Sequence, residues 1–217
     1  MADGNWFRSD SGVRWFFDAG SASLDFAYLG GFPTDSFGPA SGLPGSGWDG
    51  LAGPADLGDW LAERYPGLGS APTDRELLDA RGLRDAIARL AENAADGHAP
   101  DARDVDLVNL FAATPDVPPS LAGGSRQAGA GRLRVSQAMS SIARDAVALF
   151  ASVGFLGEDD RRIKRCAAPD CRLVFHDDSR ASSRRWCSMQ KCGNRAKVRA
   201  HRARAAGAGA GGGSGSA

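Results

Sequence analysis

Apolar residues recur at helical spacing along most of the first 154 positions of this chain, and the pattern predicts a mainly helical N-terminal domain. The clearest segment follows Thr73-Asp-Arg-Glu76, in which a hydroxyl at the N-cap and a carboxylate three residues later make a capping box. Leu83 and Ile87 continue the apolar face at helical spacing. The sequence therefore predicts a helix over residues 74–95.

Three more helices are predicted from the same periodicity and from residues that favour helix starts and ends. They are a helix over 57–65 that Asp56 caps and Pro66 ends, a helix from Asp101 to Pro115, and a helix that Ser136 caps and Gly154 ends. A shorter helical pattern runs through Leu24, Phe26 and Ala27. These segments place the domain in the mainly α class.

Strands and loops are predicted for the remaining N-terminal positions. Two short strands are expected at Trp15–Phe17 and Arg132–Val135. The segments 30–54 and 115–131 are rich in Gly and Pro, which predicts long loops. Residues 1–12 are expected to form a loose terminus.

All four cysteines of the 217-residue chain lie within 27 positions of one another. They form two pairs, Cys166 with Cys171 and Cys187 with Cys192, and four residues separate the members of each pair. This spacing is typical of a structural zinc site, in which four thiolates sit at tetrahedral corners about 2.3 Å from one Zn²⁺. Because four cysteines close the coordination shell, we expect one zinc ion that stabilises a fold and does not catalyse.

Disulfides and four unconnected buried cysteines are the alternatives to zinc. Disulfides need an oxidising compartment, and the first residues, Met1-Ala-Asp-Gly-Asn-Trp6, lack the basic and apolar regions of a signal peptide. No stretch approaches the roughly 20 apolar residues of a membrane span. We therefore favour zinc, and we expect a cytoplasmic protein with reduced thiols and no membrane partner.

Charge is distributed unevenly, although the chain as a whole has no net charge. Between Arg161 and Arg204 there are fourteen Lys and Arg residues against three Asp, a surplus of eleven positive charges that the rest of the chain balances. A Zn²⁺ ion with four thiolates is formally negative, and this negative charge offsets only part of the positive surplus. The remainder indicates a segment that binds DNA or RNA phosphates with salt-dependent affinity.

The cysteine-containing segment is predicted to fold as a small α+β module resembling a treble clef. Its expected parts are a first knuckle at 166–171, a strand at Arg172–His176, a turn at 177–180, and a returning hairpin arm at 184–186. Ser188 is expected to cap a helix over 189–204 that carries Cys192 near its start.

The predicted last helix is basic on two sides, with a narrow strip of alanines between them. A helix of this kind cannot lie in a core. It is either a solvated terminal helix or a helix that lies in or across a nucleic-acid groove, and we favour the second interpretation. The candidate nucleic-acid-binding residues are Arg184, Arg185, Lys191, Arg195, Lys197, Arg199, Arg202 and Arg204.

The motifs around the second cysteine pair resemble those of a known family. Arg185-Trp-Cys-Ser-Met189 and Cys192-Gly-Asn-Arg195-Ala-Lys-Val-Arg199 look like the CGNR zinc finger, and Phe17-Asp-Ala-Gly-Ser-Ala-Ser-Leu-Asp-Phe-Ala27 resembles the opening of the ABATE domain. The resemblance implies a helical domain followed by a DNA-binding finger, in a bacterial protein that takes part in stress-induced transcription regulation.

Several residues beside the cysteine ligands have competing interpretations. Gly193 is expected to supply backbone geometry or a close approach. Asn194 and Arg195 could read adenine and guanine edges, although for Asn194 we favour a hydrogen bond that braces the zinc loop. For Trp186 we favour a place in the small core of the finger over a platform on which a base stacks.

Catalysis is not expected of this chain. His176 and His201 have no place on a metal that four cysteines already hold, and His98 has no cysteine in the body to pair with. Acidic residues such as Asp18 and Asp25 could still surround a small-molecule pocket. We therefore predict that the protein is not an enzyme.

The sequence thus predicts a helical regulatory domain over 13–156, a zinc finger over 160–204 and a disordered tail over 205–217. We interpret the chain as a DNA-binding transcription regulator whose helical domain senses a signal or forms a homo-oligomer. The alternatives are an adaptor that binds an acidic protein through its basic finger, and an RNA-binding protein. The helical domain carries its own apolar stripes and is expected to fold without the finger.

Overall fold

Helices dominate the N-terminal part of the computed structural model, which describes residues 4–8, 14–29, 49–119, 121, 132–155 and 161–210. Short strands appear at the N-terminus and beside the cysteines. In chain order the elements are β1 (Asn5–Arg8), β2 (Arg14–Phe17), α1 (Ala22–Ala27), α2 (Pro54–Arg64), α3 (Asp74–Asp96), α4 (Ala102–Ala112), α5 (Val135–Val153), β3 (Ile163–Arg165), β4 (Val174–His176) and α6 (Asn194–Ala210). This arrangement confirms the predicted fold class.

The helix α3 lies at the centre of the fold and contacts α1, α2, α4, α5 and both strands of the finger. The predicted capping box is present: the Glu76 amide donates to Oγ1 of Thr73 at 3.2 Å, and the Glu76 carboxylate accepts from the Thr73 amide at 2.8 Å. At the other end Gly97 adopts a left-handed conformation, with φ of 73°. The prediction of a helix over 74–95 is confirmed to within one residue.

Two other helices begin earlier than predicted, and the predicted caps are wrong. Pro54 occupies the first turn of α2, and Asp56 lies inside the helix, where its carboxylate accepts from the Gly53 amide at 2.7 Å. In α5 the cap position is Arg134, whose amide donates to the side chain of Gln137 at 3.0 Å. Ser136 therefore lies within the first turn of α5 and does not cap it.

The N-terminal residues form a hairpin, so the expectation of a loose terminus is wrong for β1. Strands β1 and β2 pair antiparallel, with Asn5 opposite Phe17 and Phe7 opposite Trp15. Phe7 and Trp15 are both buried and their rings stack with centroids 5.0 Å apart. Burial of this aromatic face against the helices holds in place a segment that has no strong local signal of its own.

The structure describes only part of the two predicted loops, and it shows no strand at the second predicted strand position. Residues 30–48, 120 and 122–131, which make up most of the two predicted loops, lie outside the described residues. The segment Arg132–Val135 does not form a strand. Leu133 makes a single bridge to Leu68, and Val135 already belongs to α5.

The finger packs directly on the helical body, and the two parts share one hydrophobic core. The Val174 amide donates to the Tyr28 hydroxyl at 3.0 Å, and the His176 amide donates to the Ala19 carbonyl at 2.8 Å. Gly20, at φ of 85°, approaches the finger so closely that a Cβ there would lie 2.4 Å from the His176 carbonyl oxygen. The domain limits stay predictions, because residues 156–160 lie outside the described part.

Within the described residues, no helix is both long enough and apolar enough to cross a membrane.

Candidate metal centre and nucleic-acid interface

The four cysteine side chains converge on one point beneath the surface of the finger. All four are buried, and their sulfur atoms lie within 4.8 Å of one another. Sγ of Cys187 is 3.7 Å from that of Cys171 and 3.5 Å from that of Cys192. A tetrahedral zinc with Zn–S bonds of about 2.3 Å requires sulfur separations of about 3.8 Å. The cysteines therefore fit one structural Zn²⁺ as its complete set of ligands.

The first cysteine pair is held by a knuckle between the two finger strands. Strand β3 leads directly into Cys166, whose amide donates to the Leu173 carbonyl at 2.8 Å, and the Cys171 amide donates to the Ala168 carbonyl at 3.0 Å. Strand β4 pairs with β3, so the predicted hairpin between 172–176 and 184–186 is wrong.

Residues 184–186 take a different place from the predicted hairpin arm. They run past the knuckle, and the Ala167 amide donates to the Arg185 carbonyl at 2.8 Å. No strand is formed there. The pairing differs from the prediction because β3 precedes the first cysteine and, at three residues, is too short to show an alternating pattern.

The second cysteine pair lies at the start of the last helical segment. Ser188 makes no side-chain capping hydrogen bond, and the segment after it, Met189–Gly193, is a π-helical turn, so α6 begins five residues later than predicted. This turn places Cys192 next to the other sulfurs. Asn194 donates its side-chain amide to the Gln190 carbonyl at 3.1 Å and so braces this turn. Gly193 is buried where a Cβ would meet the Met189 side chain at 2.8 Å.

Arg195 neutralises the charge that collects on the sulfurs. Its guanidinium is 2.9 Å from the Asp170 carboxylate and donates to Sγ of Cys192 at 3.4 Å. Hydrogen bonds from the other three thiols, together with the one from Arg195, lower the pKa of Cys192. These contacts favour the thiolate of Cys192, which is the form that binds zinc.

A second ionic group organises the loop between the two cysteine pairs. Asp177 is 1 % exposed and accepts from Lys164 at 2.8 Å, from the Arg184 amide at 2.8 Å and from the Ser179 amide at 3.1 Å. Burial opposes ionisation, but these donors outweigh it and hold the pKa of Asp177 well below its ordinary value.

Sequence reasoning did not assign roles to Lys164, Asp170 or Asp177. The Asp-Asp-Ser order at 177–179 is a signal for an Asx turn that could have indicated Asp177. Nothing in the sequence indicates that Lys164 or Asp170 would meet their partners, since these contacts cross between separate loops of the finger.

Two family models match the chain, in the order that the fold implies. Residues 162–205 match the CGNR zinc finger, and residues 20–153, more than half of the chain, match ABATE, described as "Putative stress-induced transcription regulator". The chain belongs to the ABATE family. No curated protein matches it. The two matches confirm the resemblance of the motifs to the CGNR finger and the ABATE domain.

Three of the predicted nucleic-acid-binding residues of this ABATE protein are engaged in internal contacts. Arg184 donates to the carbonyls of Asp18 and Cys187, each at 2.7 Å, and packs over the Phe175 ring. The Lys191 ammonium lies 3.8 Å from the centre of the Trp15 ring. Arg195 is held by Asp170, so all three side chains join parts of the protein, and their contact with nucleic acid stays a prediction.

The other five candidates of the CGNR finger are at the surface. Lys197, Arg202 and Arg204 are exposed along α6, and Arg199 is exposed but approaches Asp170 at 3.4 Å. Arg185 is exposed, with its guanidinium 5.2 Å from the centre of the half-buried Trp186 ring. Among the candidate residues, the exposed positive charge therefore lies on α6 and on the segment just before the second cysteine pair.

Helix α6 ends later than predicted. It extends through Ala210, so the expectation of a disordered tail from residue 205 is wrong for 205–210, and residues 211–217 lie outside the described part. The alanines at 205, 206, 208 and 210 have the highest helix propensity of any residue type, which allows the helix to continue across two glycines.

Proposed function

We propose that this ABATE-family protein is a DNA-binding transcription regulator whose CGNR finger contacts DNA phosphates through the exposed basic residues of α6. The observation that carries the proposal is the surface of that helix. Its first eleven residues include five Lys and Arg and no Asp or Glu, and four of these basic residues are exposed. No core element would tolerate this composition.

Zinc has a supporting part in the proposal. The closed set of four thiolates holds the turn at Met189–Gly193, and that turn sets the direction in which α6 leaves the finger. The contact between Lys191 and Trp15 ties the same turn to the body. The basic helix is therefore presented on a rigid base, and we propose no catalytic step.

In this proposal the helical body senses a signal or forms a homo-oligomer. Support comes from the ABATE match over 20–153 and from the direct packing of this body on the finger. A change in the body has a physical route to α6 through these contacts. We place the protein where the DNA lies, which in a bacterial cell is the cytoplasm.

The proposal is tested by fluorescence-anisotropy titration of the zinc-loaded full-length protein with duplex DNA over a series of salt concentrations. Each phosphate contact contributes about 0.9 to the slope of log affinity against log salt. Arg202→Ala should weaken binding to all DNA sequences and reduce the slope by about that amount. Arg75→Ala is the matched control, because Arg75 is 80 % exposed on α3, away from the finger.

An unchanged slope in Arg202→Ala, or a wild-type protein that does not bind DNA, would overturn the proposal. Titration with polyglutamate separates DNA binding from attraction to any polyanion. Equal affinity and equal slope for polyglutamate and DNA would favour the adaptor that binds acidic proteins. Preference for RNA of the same length over DNA would assign the basic surface to RNA.

A further inference from the structure

A surface pocket of about 400 Å³ lies beside the zinc site, formed by one continuous segment of the finger. It is lined by residues 183–189, among them Ser183, Arg185, Trp186 and Met189. Arg185 and Met189 are exposed. Trp186 is half-buried and packs partly against the core, as the sequence predicted, and it also lines the pocket. The zinc site and its fold do not require such an opening, and the phosphate contacts proposed for α6 make no use of it.

The walls of this pocket are held in place from behind. Cys187 is a zinc ligand, Arg184 is fixed by two carbonyls, and the Arg185 carbonyl accepts from Ala167. Trp186 packs next to Gly193, where an added Cβ would lie 3.4 Å from the indole ring. The aromatic ring is thus presented by a rigid frame and loses little conformational freedom when a ligand binds.

The chemistry of the lining is that of a site for a nucleobase. The pocket combines an indole ring, a guanidinium 5.2 Å from the ring centre, a thioether and two serine hydroxyls, and it has no acidic side chain. Aromatic rings and guanidinium planes stack on bases, and hydroxyls bond to base edges or to phosphate. A volume of about 400 Å³ is within the range of pockets that enclose small molecules of nucleotide size.

We propose that this pocket accepts one unpaired base of a nucleic acid strand. Trp186 supplies the stacking platform, and the exposed Arg185 side chain, whose guanidinium lies over the same ring, turns outward to admit the base and stacks on it. A base inside a duplex is already stacked on both sides, so only an unpaired or extruded base can enter. This inference rests on the proposed function, because the basic residues of α6 bring the strand to the finger. The ligand of the finger is then a strand with at least one exposed base, and not an uninterrupted duplex alone.

The test compares a short single-stranded DNA with a strand of the same length in which the bases are replaced by abasic sites. Both strands carry the same phosphates, so contacts of α6 affect them equally. The wild-type protein should bind the base-containing strand about 5- to 150-fold more tightly. A matching RNA strand shows whether DNA or RNA supplies the base.

Variants then assign the effect to the pocket. Trp186→Leu should remove the preference for the base-containing strand, Trp186→Phe should retain most of it, and Arg202→Ala should weaken both strands by the same factor. Zinc content and circular dichroism establish that each variant is folded. If Trp186→Leu does not fold, the comparison of Trp186→Phe and Arg185→Ala with the wild type still measures the preference.

Equal binding of the two strands by the wild-type protein would overturn the pocket assignment and leave the proposed function intact. Failure to bind any nucleic acid would overturn both. A preference for bases that persists in Trp186→Leu would place base recognition elsewhere on the finger.

Discussion

Asp25 is the residue whose environment differs most from that of an ordinary carboxylate. It is fully buried; Oδ1 accepts from the Ala19 amide at 2.9 Å, while Oδ2 has no hydrogen-bond partner among the described residues. Burial raises its pKa to about 7, and the charge of Asp18 adds to this effect, while Arg64 opposes it. The segment Asp18–Gly20 that it supports is the one that contacts the finger.

This environment predicts a pH-dependent stability. The native carboxyl has a pKa of about 7 against an ordinary value of 3.8, so the native state binds the proton more tightly than the unfolded state. Stability therefore falls as pH rises from about 4 to 7 and levels off above that. Asp25→Asn should be more stable than the wild type at about pH 8, by at most about 4 kcal/mol, and should lose most of this dependence.

Urea denaturation of the zinc-loaded protein at about pH 6 and pH 8 measures this difference. Asp79→Asn is the matched control, since it removes one carboxylate from a surface ion pair with Arg75. The same change of stability with pH in Asp25→Asn and in the wild type would contradict the assignment of Asp25.

Arg195 provides a prediction about zinc affinity. The guanidinium hydrogen-bonds to Sγ of Cys192 and stabilises the thiolate, so Arg195→Ala should weaken zinc binding about 10- to 100-fold. Arg202→Ala removes the same charge from an exposed position of α6 and should leave zinc affinity nearly unchanged. Competition with a chromophoric chelator measures both, and equal affinities in the two variants would show that Arg195 has no special role at the metal.

At the scale of single elements, the start of α3 tests whether local signals define helix ends. Thr73 caps this helix through its hydroxyl, and Thr73→Ala should lower the free energy of unfolding by about 1 kcal/mol. Ser136 looks like a cap in the sequence but lies exposed inside the first turn of α5, so Ser136→Ala should change stability by only a few tenths of a kcal/mol. Chemical denaturation of the two variants gives the comparison, and equal losses would contradict the assigned caps.

Strand pairing in the finger shows how an element can be recognised while its partner is not. The alternation in 172–176 is real, and Val174–His176 forms β4. Its partner β3 lies before the first cysteine and is only three residues long. Pairing two such short strands depends on their joint burial against α3, which no local pattern expresses.

At the scale of the whole molecule, the finger and the body are parts of one core. Val174 and His176 bond to Tyr28 and Ala19, and Arg165 forms a two-point ion pair with Asp96 at 2.5 and 2.9 Å. If the body folded independently, as the sequence predicts, its surface around Ala19, Tyr28 and Asp96 would be exposed to solvent. The structure shows that it is covered by the finger.

Removal of zinc should therefore destabilise the body as well as the finger. Hydrogen exchange of the zinc-loaded and the chelated protein measures this effect along α3, which contacts both finger strands. We expect faster exchange in α3 after chelation. The first turn of α2 lies far from the finger strands in the sequence and serves as an internal comparison. Unchanged protection of α3, with loss confined to residues after 160, would show that the body is independent of the finger.

The helices, the zinc ligands and the basic character of the last helix could all be derived from sequence because their causes are local. An apolar face at helical spacing, a capping box and two cysteine pairs each act over a few residues, and zinc needs only the correct four thiolates. The pairing of β1 with β2, the engagement of Arg184, Lys191 and Arg195, and the partners of Asp170 and Asp177 arise only in the folded chain. Each of these features joins segments that lie far apart in the chain or in separate loops, and burial and charge at such contacts are set by packing.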